Sequence, residues 1–163
     1  MAKIAKQKNA RFIVDTCGEA LTEAVKEGVY LIKPNLNELA WLAEKKTVQP
    51  EEVKHIAADI IAKGGCEVMV VSMGAKGALL VTEEMSVLIQ PPPVIKKSTV
   101  GAGDSMVAGI VFYLSQGMSI LEAAQYGVCC GTAATLHAGT ELCNKDDADR
   151  FYSAIHPDQI YNM

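Results

Sequence analysis

The chain has 163 residues, 50% hydrophobic, 21% charged and 6% aromatic, and its fifteen Lys and Arg against nineteen Asp and Glu give a formal charge of −4. That is enough apolar material to bury the core of a single domain over 1–163, which argues against a disordered chain, and the acidic balance argues against a broad nucleic-acid surface. The longest apolar run, the nine residues Met106–Leu114, is too short to cross a bilayer.

The start of the chain, with Lys3, Lys6, Lys8 and Arg11, lacks the apolar stretch of a secretory signal. Five cysteines (Cys17, Cys66, Cys129, Cys130, Cys143) are an odd number without CxxC spacing, and they read as reduced thiols of a cytoplasmic protein. His55, His137 and His156 show no zinc spacing. Arg11–Asp15 reads as a short buried strand, and Ala20, Leu21, Ala24 and Val25 have helical spacing. Val29–Ile32 reads as a second strand ended by Pro34, after which Asn35 suits the cap of a helix through Leu36, Leu39, Ala40 and Leu42.

Pro50 at a helix start, with Val53, Ile56, Ala57, Ile60 and Ile61 behind it, predicts a helix closing at Gly64-Gly65. Val68–Val71 is the most strand-like run, and its unbroken apolarity suits a strand covered on both faces. Ala78–Thr82 and Ser86–Ile89 read as antiparallel additions at a sheet edge, followed by the stiff Pro91-Pro92-Pro93. From Asp104 the chain turns helical, with Val107, Ile110, Val111 and Leu114 on one face, and further helices should follow Ser119 and Asn144. Strands alternating with helices predict an α/β layered fold with a mainly parallel sheet flanked by helices.

Three segments carry chemistry. Ser98-Thr99-Val100-Gly101-Ala102-Gly103-Asp104-Ser105-Met106 puts two glycines at a helix entrance, where unpaired N–H groups and the positive end of the dipole suit a phosphate. Asp104 there is either a helix cap or a general base for an attacking hydroxyl. The chain has no Walker A loop, and Met106 stands where a dinucleotide fingerprint needs a third small residue. Val70-Val71-Ser72-Met73-Gly74-Ala75-Lys76-Gly77 is either a plain hairpin turn or a cradle for phosphate or ribose. Lys33-Pro34-Asn35-Leu36-Asn37-Glu38 is either an amide variant of the capping box or a site where Glu38 holds magnesium through waters. The small residues of Ala123–Ala134 suit close helix packing or a flat slot for a purine.

Together and in this order, the three segments, supported by Gly131-Thr132-Ala133-Ala134-Thr135, resemble the ribokinase-like (PfkB) carbohydrate kinases, and within them the minor-type bacterial 6-phosphofructokinases. The resemblance runs from about Ile4 to about Ile155. It implies a ribokinase-like fold whose N-terminal part and lid have no counterpart in the chain, and ATP-dependent phosphorylation of a phosphosugar such as fructose 6-phosphate. Asp104 is then the base and the amides of Gly101, Ala102 and Gly103 the anion hole. Asn35 sits near the phosphates and Glu38 near Mg²⁺. Lys33, Ser72, Gly74 and Gly77 line the ATP phosphates and ribose, and Val128 and Thr132 flank adenine. A potassium ion is implied beside Ser98, Val100, Ala134, His137, Gly139 and Glu141. His137 and Glu141 depart from the Asn and Arg that close relatives often carry there.

The resemblance implies sugar phosphate and ATP as partners, with no nucleic acid and no membrane. A first strand left unpaired along its outer edge would favour self-association. Without a sugar site or lid, the chain alone should bind nucleotide weakly and phosphorylate sugar poorly. A non-catalytic nucleotide- or partner-binding module is the alternative. A nicotinamide-dependent dehydrogenase is disfavoured by the poor fingerprint.

Overall fold

The uncharged run Val68–Val71 lies inside the strand Cys66–Ser72, and all four of its residues are buried. The computed structural model describes residues 1–138, 141, 143–155 and 160–162. In chain order its elements are α1 (Ala2–Gln7), β1 (Ile13–Val14), α2 (Gly18–Glu27), β2 (Val29–Ile32), α3 (Leu36–Leu42), α4 (Pro50–Ala62) and β3 (Cys66–Ser72). A short 3-10 turn (Gly74–Lys76), β4 (Ala78–Val81), β5 (Ser86–Ile89), α5 (Ala102–Ser115), α6 (Ile120–Ala134), α7 (Lys145–Ser153) and β6 (Ile160–Asn162) follow. Strand order in the sheet is the chain order. β1, β2 and β3 run parallel, with Val14 beside Ile32 and Ile32 beside Met69. β4 returns antiparallel on β3, Ser72 opposite Ala78, as the sequence predicts for the edge additions. Among the described residues no helix is long and apolar enough to cross a membrane.

The chain divides into two compact units. One holds Met1–Gly74 and Ala78–Val87; the other holds Ala75–Gly77 and the residues from Leu88 onward.

In the first unit the expected strand Arg11–Asp15 shrinks to Ile13–Val14, and both residues are only half-buried. The reason is that β1 is an edge: it pairs with β2 alone, and its outer side has no strand among the described residues. The helices start where the sequence places them. Pro50 opens α4, where its missing N–H removes no helical bond, and the Glu52 carboxylate accepts the Gln49 N–H at 2.9 Å. Val53, Ile56 and Ala57 are its buried stripe. Between α2 and α3, the Trp41 indole N–H donates to Thr22 Oγ1 at 3.2 Å while its ring stays exposed.

In the second unit α5 and α6 pack through glycines. A Cβ at Gly109 would lie 2.7 Å from Cys130 Sγ, and one at Gly127 would lie 2.8 Å from the Met106 carbonyl oxygen. The backbones therefore approach closer than side chains allow. This contact corrects the expected buried face of α5. Ser105, Met106, Gly109 and Ile110 are buried, whereas Val111 is 43% exposed. Gly109 meets Cys130, and Met106 and Ile110 meet Gly127 and Gly131 of α6, while Val111 faces away. Ser119 and Asn144 cap α6 and α7 as predicted, accepting from Glu122 N at 3.3 Å and Asp146 N at 2.8 Å. Tyr113 and Tyr126 stack 3.9 Å apart, and Tyr126 Oη donates to Asp149 at 2.7 Å.

Candidate active site

Parallel strands deliver their carboxyl ends to one edge of the sheet, where ligands of α/β proteins bind. In the first unit, β1, β2 and β3 bring Asp15, Lys33-Pro34-Asn35 and Ser72 to that edge. Asn35 forms a parallel bridge to Ser72, and the Ser72 N–H donates to the Pro34 carbonyl at 2.9 Å. The candidate residues Lys33, Asn35, Glu38 and Ser72 are thus joined by the local backbone, and Gly74 follows two residues on with a left-handed φ of +60.

Lys33 is 6% exposed, and its Nζ lies 3.3 Å from Asp15 Oδ1. A buried lysine needs such a partner. Sequence reading missed Asp15, because nothing local ties it to a residue eighteen positions away; the adjacency of β1 and β2 does. The capping box is present in full. Asn35 Oδ1 accepts from Asn37 N and Glu38 N, both at 2.9 Å, and the Asn35 N–H donates to Glu38 Oε2 at 2.8 Å. The structural role of this pair is therefore real. It leaves the Asn35 amide N–H₂ and Glu38 Oε1 without a partner among the described residues. Replacing Asn35 with Ala is expected to cost about 1 kcal/mol through the lost cap, read as a lower urea midpoint.

In the second unit, helix α5 begins two residues earlier than Asp104 suggests. Its N-cap is Gly101, in the left-handed conformation (φ 76, ψ −3), with no side-chain cap. Asp104 is therefore not the cap. It sits in the first turn, exposed, and its carboxylate has no hydrogen bond or ion pair among the described residues. Ala102 N reaches back to the Thr99 carbonyl at 3.4 Å, and Ser105 N starts the helical ladder on Gly101 at 2.9 Å. The N–H groups of Gly101, Gly103 and Asp104 have no protein acceptor among the described residues, so three donors and the helix dipole remain for an anion.

Gly77 has a φ of +92, and a Cβ there would lie 2.0 Å from the Ile89 carbonyl oxygen, so only glycine fits. Val128 is 2% and Thr132 7% exposed, and the Thr132 hydroxyl donates to the Val128 carbonyl at 2.7 Å. The small residues of α6 thus serve close packing.

Around the expected potassium position, Ser98 Oγ accepts from Val100 N at 3.2 Å and the Ala134 carbonyl accepts from His137 N at 3.4 Å. His137 is held between Glu141, at 3.5 Å, and Asp147, at 3.3 Å. Gly139 lies outside the described residues. No group of three His, Cys, Asp or Glu side chains could hold a metal directly among the described residues, which leaves carbonyls and waters as the means.

The family model described as pfkB family carbohydrate kinase matches residues 1–147, and the chain belongs to that family. It is 43% identical over 152 residues to the ATP-dependent 6-phosphofructokinase isozyme 2 of Escherichia coli, covering 93% of this chain and 49% of that protein. It superposes on the crystal structure of Escherichia coli phosphofructokinase-2 in complex with potassium with a TM-score of 0.89 at 42% identity, covering 93% of this chain and 50% of that one. Arabidopsis thaliana ribokinase complexed with ribose and ATP shares the fold at 21% identity, with a TM-score of 0.78, over 93% of this chain and 50% of that one. The fold is therefore ribokinase-like. The chain spans about half the length of the curated relatives it matches.

Proposed function

We propose that the chain takes part in phosphoryl transfer from ATP to a hydroxyl of a phosphosugar such as fructose 6-phosphate. The observation that supports this best is the exposed Asp104, without a partner among the described residues, in the first turn of a helix whose Gly101, Gly103 and Asp104 amides have no acceptor among them. ATP with Mg²⁺, when bound, supplies the phosphoryl group and offsets its charge. The chain's own residues do the rest. Asp104 accepts the proton of the attacking hydroxyl at its carboxylate, since a group beside incoming phosphates is otherwise repulsive. The amides of Gly101 and Gly103, with the Ala102 amide once it leaves Thr99, hold the oxygens on which charge develops.

Asn35 offers its free amide donors to the phosphates, and Glu38 Oε1 accepts from a water of the hydrated ion. Lys33 fixes Asp15 at the strand ends and lends positive charge there. Ser72, Gly74 and Gly77 shape the turn against the phosphates and ribose, and Val128 and Thr132 back the adenine side. Potassium would be held by oxygens of Ser98, Val100 and Ala134 with His137, Gly139 and Glu141 around them. The potassium bound to Escherichia coli phosphofructokinase-2 in its crystal structure supports that part.

A second reading, a module that binds nucleotide or a partner without catalysis, is favoured by one observation: the chain spans half of its relatives. None of the residues described above is assigned to the sugar. Positioning a reacting hydroxyl is worth ~7–11 kcal/mol of barrier, so the purified chain should bind MgATP weakly and release little ADP when fructose 6-phosphate is added. Calorimetry with MgATP and a coupled ADP assay check both. Absence of any nucleotide-dependent heat sinks the kinase reading, and brisk sugar-dependent ADP release sinks the impairment.

A further inference from the structure

Four of the five cysteines lie in the described core or against it, and two of them share one cluster. Cys130, on α6, is 4% exposed and belongs to a cluster with Tyr126, Ala133 and Ala148. Cys143, thirteen residues further on and outside any helix, packs partly buried against that same cluster. Cys143 is also anchored by its backbone, whose N–H donates to Ser105 Oγ at 3.4 Å. The other cysteines are differently placed. Cys17 is exposed, and burial pushes the thiols of Cys66 and Cys129 up to about 12.

We propose that Cys130 and Cys143 form an oxidation site: a low-molecular-weight disulfide such as oxidised glutathione converts them into an intrachain disulfide that fastens α6 to the segment leading into α7. Cys143 is the entry point, because it is the more accessible of the two. Its thiolate attacks one sulfur of oxidised glutathione, forms a mixed disulfide and expels one glutathione thiolate. The Cys130 sulfur then attacks the Cys143 sulfur and expels the second. The proton of the Cys130 thiol passes to that leaving thiolate. Two protein thiols are oxidised and one glutathione disulfide is reduced to two thiols.

Burial, the largest cause, and then the neighbouring Cys143 thiol hold Cys130 above its usual pKa, so the closing step is the slower one and quickens as pH rises. The place both side chains take in one packed cluster offsets that slowness. The product bond sits on a segment tied to Ser105, the residue next to Asp104.

The whole chain, treated with oxidised glutathione and blocked with iodoacetamide, tests this by mass spectrometry after cleavage at Glu141 and Glu122, which separates the two cysteines. The expected product links the 123–141 peptide to the Cys143 peptide with loss of two hydrogens, tandem fragmentation placing the bond on Cys130 and the iodoacetamide label on the adjacent Cys129; it is reversed by dithiothreitol and forms faster at higher pH. Cys17 carries at most a single glutathione. In Cys143→Ser, checked for folding by circular dichroism, Cys130 should be recovered as the free thiol. The proposal is overturned if wild-type Cys143 stops at the glutathione adduct with Cys130 free. It is equally overturned if the bond joins another cysteine, or if no thiol of the pair reacts.

Discussion

Asp104→Asn should lower kcat by about 10²–10⁴-fold in the catalytically competent form of the protein, the range that general-base action supplies. Nucleotide affinity should hold or rise slightly, because the substitution removes a negative charge from the place proposed for the phosphates. Stability should change little. Asp104 is exposed, is not the cap and makes no hydrogen bond among the described residues, so only its favourable position at the positive end of α5 is lost, about 0.3–1 kcal/mol. The two quantities separate the readings. Steady-state kinetics with fructose 6-phosphate and calorimetry with MgATP should show a large loss of turnover with binding intact. A fall in thermal midpoint that accounts for the whole loss of activity would instead make Asp104 a structural residue.

Gly77→Ala should be the most destabilising glycine-to-alanine change among the described residues. Two costs combine. The φ of +92 is a region that L side chains rarely adopt, a strain of ~1–3 kcal/mol. The new Cβ also meets the Ile89 carbonyl oxygen at 2.0 Å, and backbone cannot swing aside as a side chain can, which adds ~1–3 kcal/mol of overpacking. A loss of about 3 kcal/mol or more in urea unfolding followed by circular dichroism is expected. Gly74→Ala in the same turn is the control. Its φ is +60, but nothing lies within 4 Å of its added Cβ, so it should lose only the ~1–2 kcal/mol of a left-handed L residue. Equal losses for the two variants would show that the steric term has been overstated.

Much of this fold is legible in the sequence where a signal is local. β2 falls on its predicted residues. The helix starts at Asn35, Pro50, Ser119 and Asn144 follow from capping chemistry acting within three or four positions. What the sequence hides is what glycine does at a distance. The apolar spacing of Val107, Ile110, Val111 and Leu114 points to one buried face, yet Gly109 against Cys130 and Gly127 against Ile110 turn α5 onto another. Glycine has no hydrophobic score to betray such a contact.

The site divides in the same way. Asn35, Glu38 and the glycines around Asp104 are readable as motifs. The Asp15–Lys33 pair is not, because strand adjacency creates it. Asp104 looks like a cap until the backbone shows the helix starting on the left-handed Gly101.

The chain's one tryptophan, Trp41, is tethered to Thr22 in the first compact unit, while Tyr113, Tyr126 and Tyr152 cluster in the second. Emission excited at the indole band consequently reports from the first unit, where that indole lies. The stacked phenol rings give those helices their own near-ultraviolet dichroism. Recording both signals during one melt makes the two halves separately visible without attaching any dye.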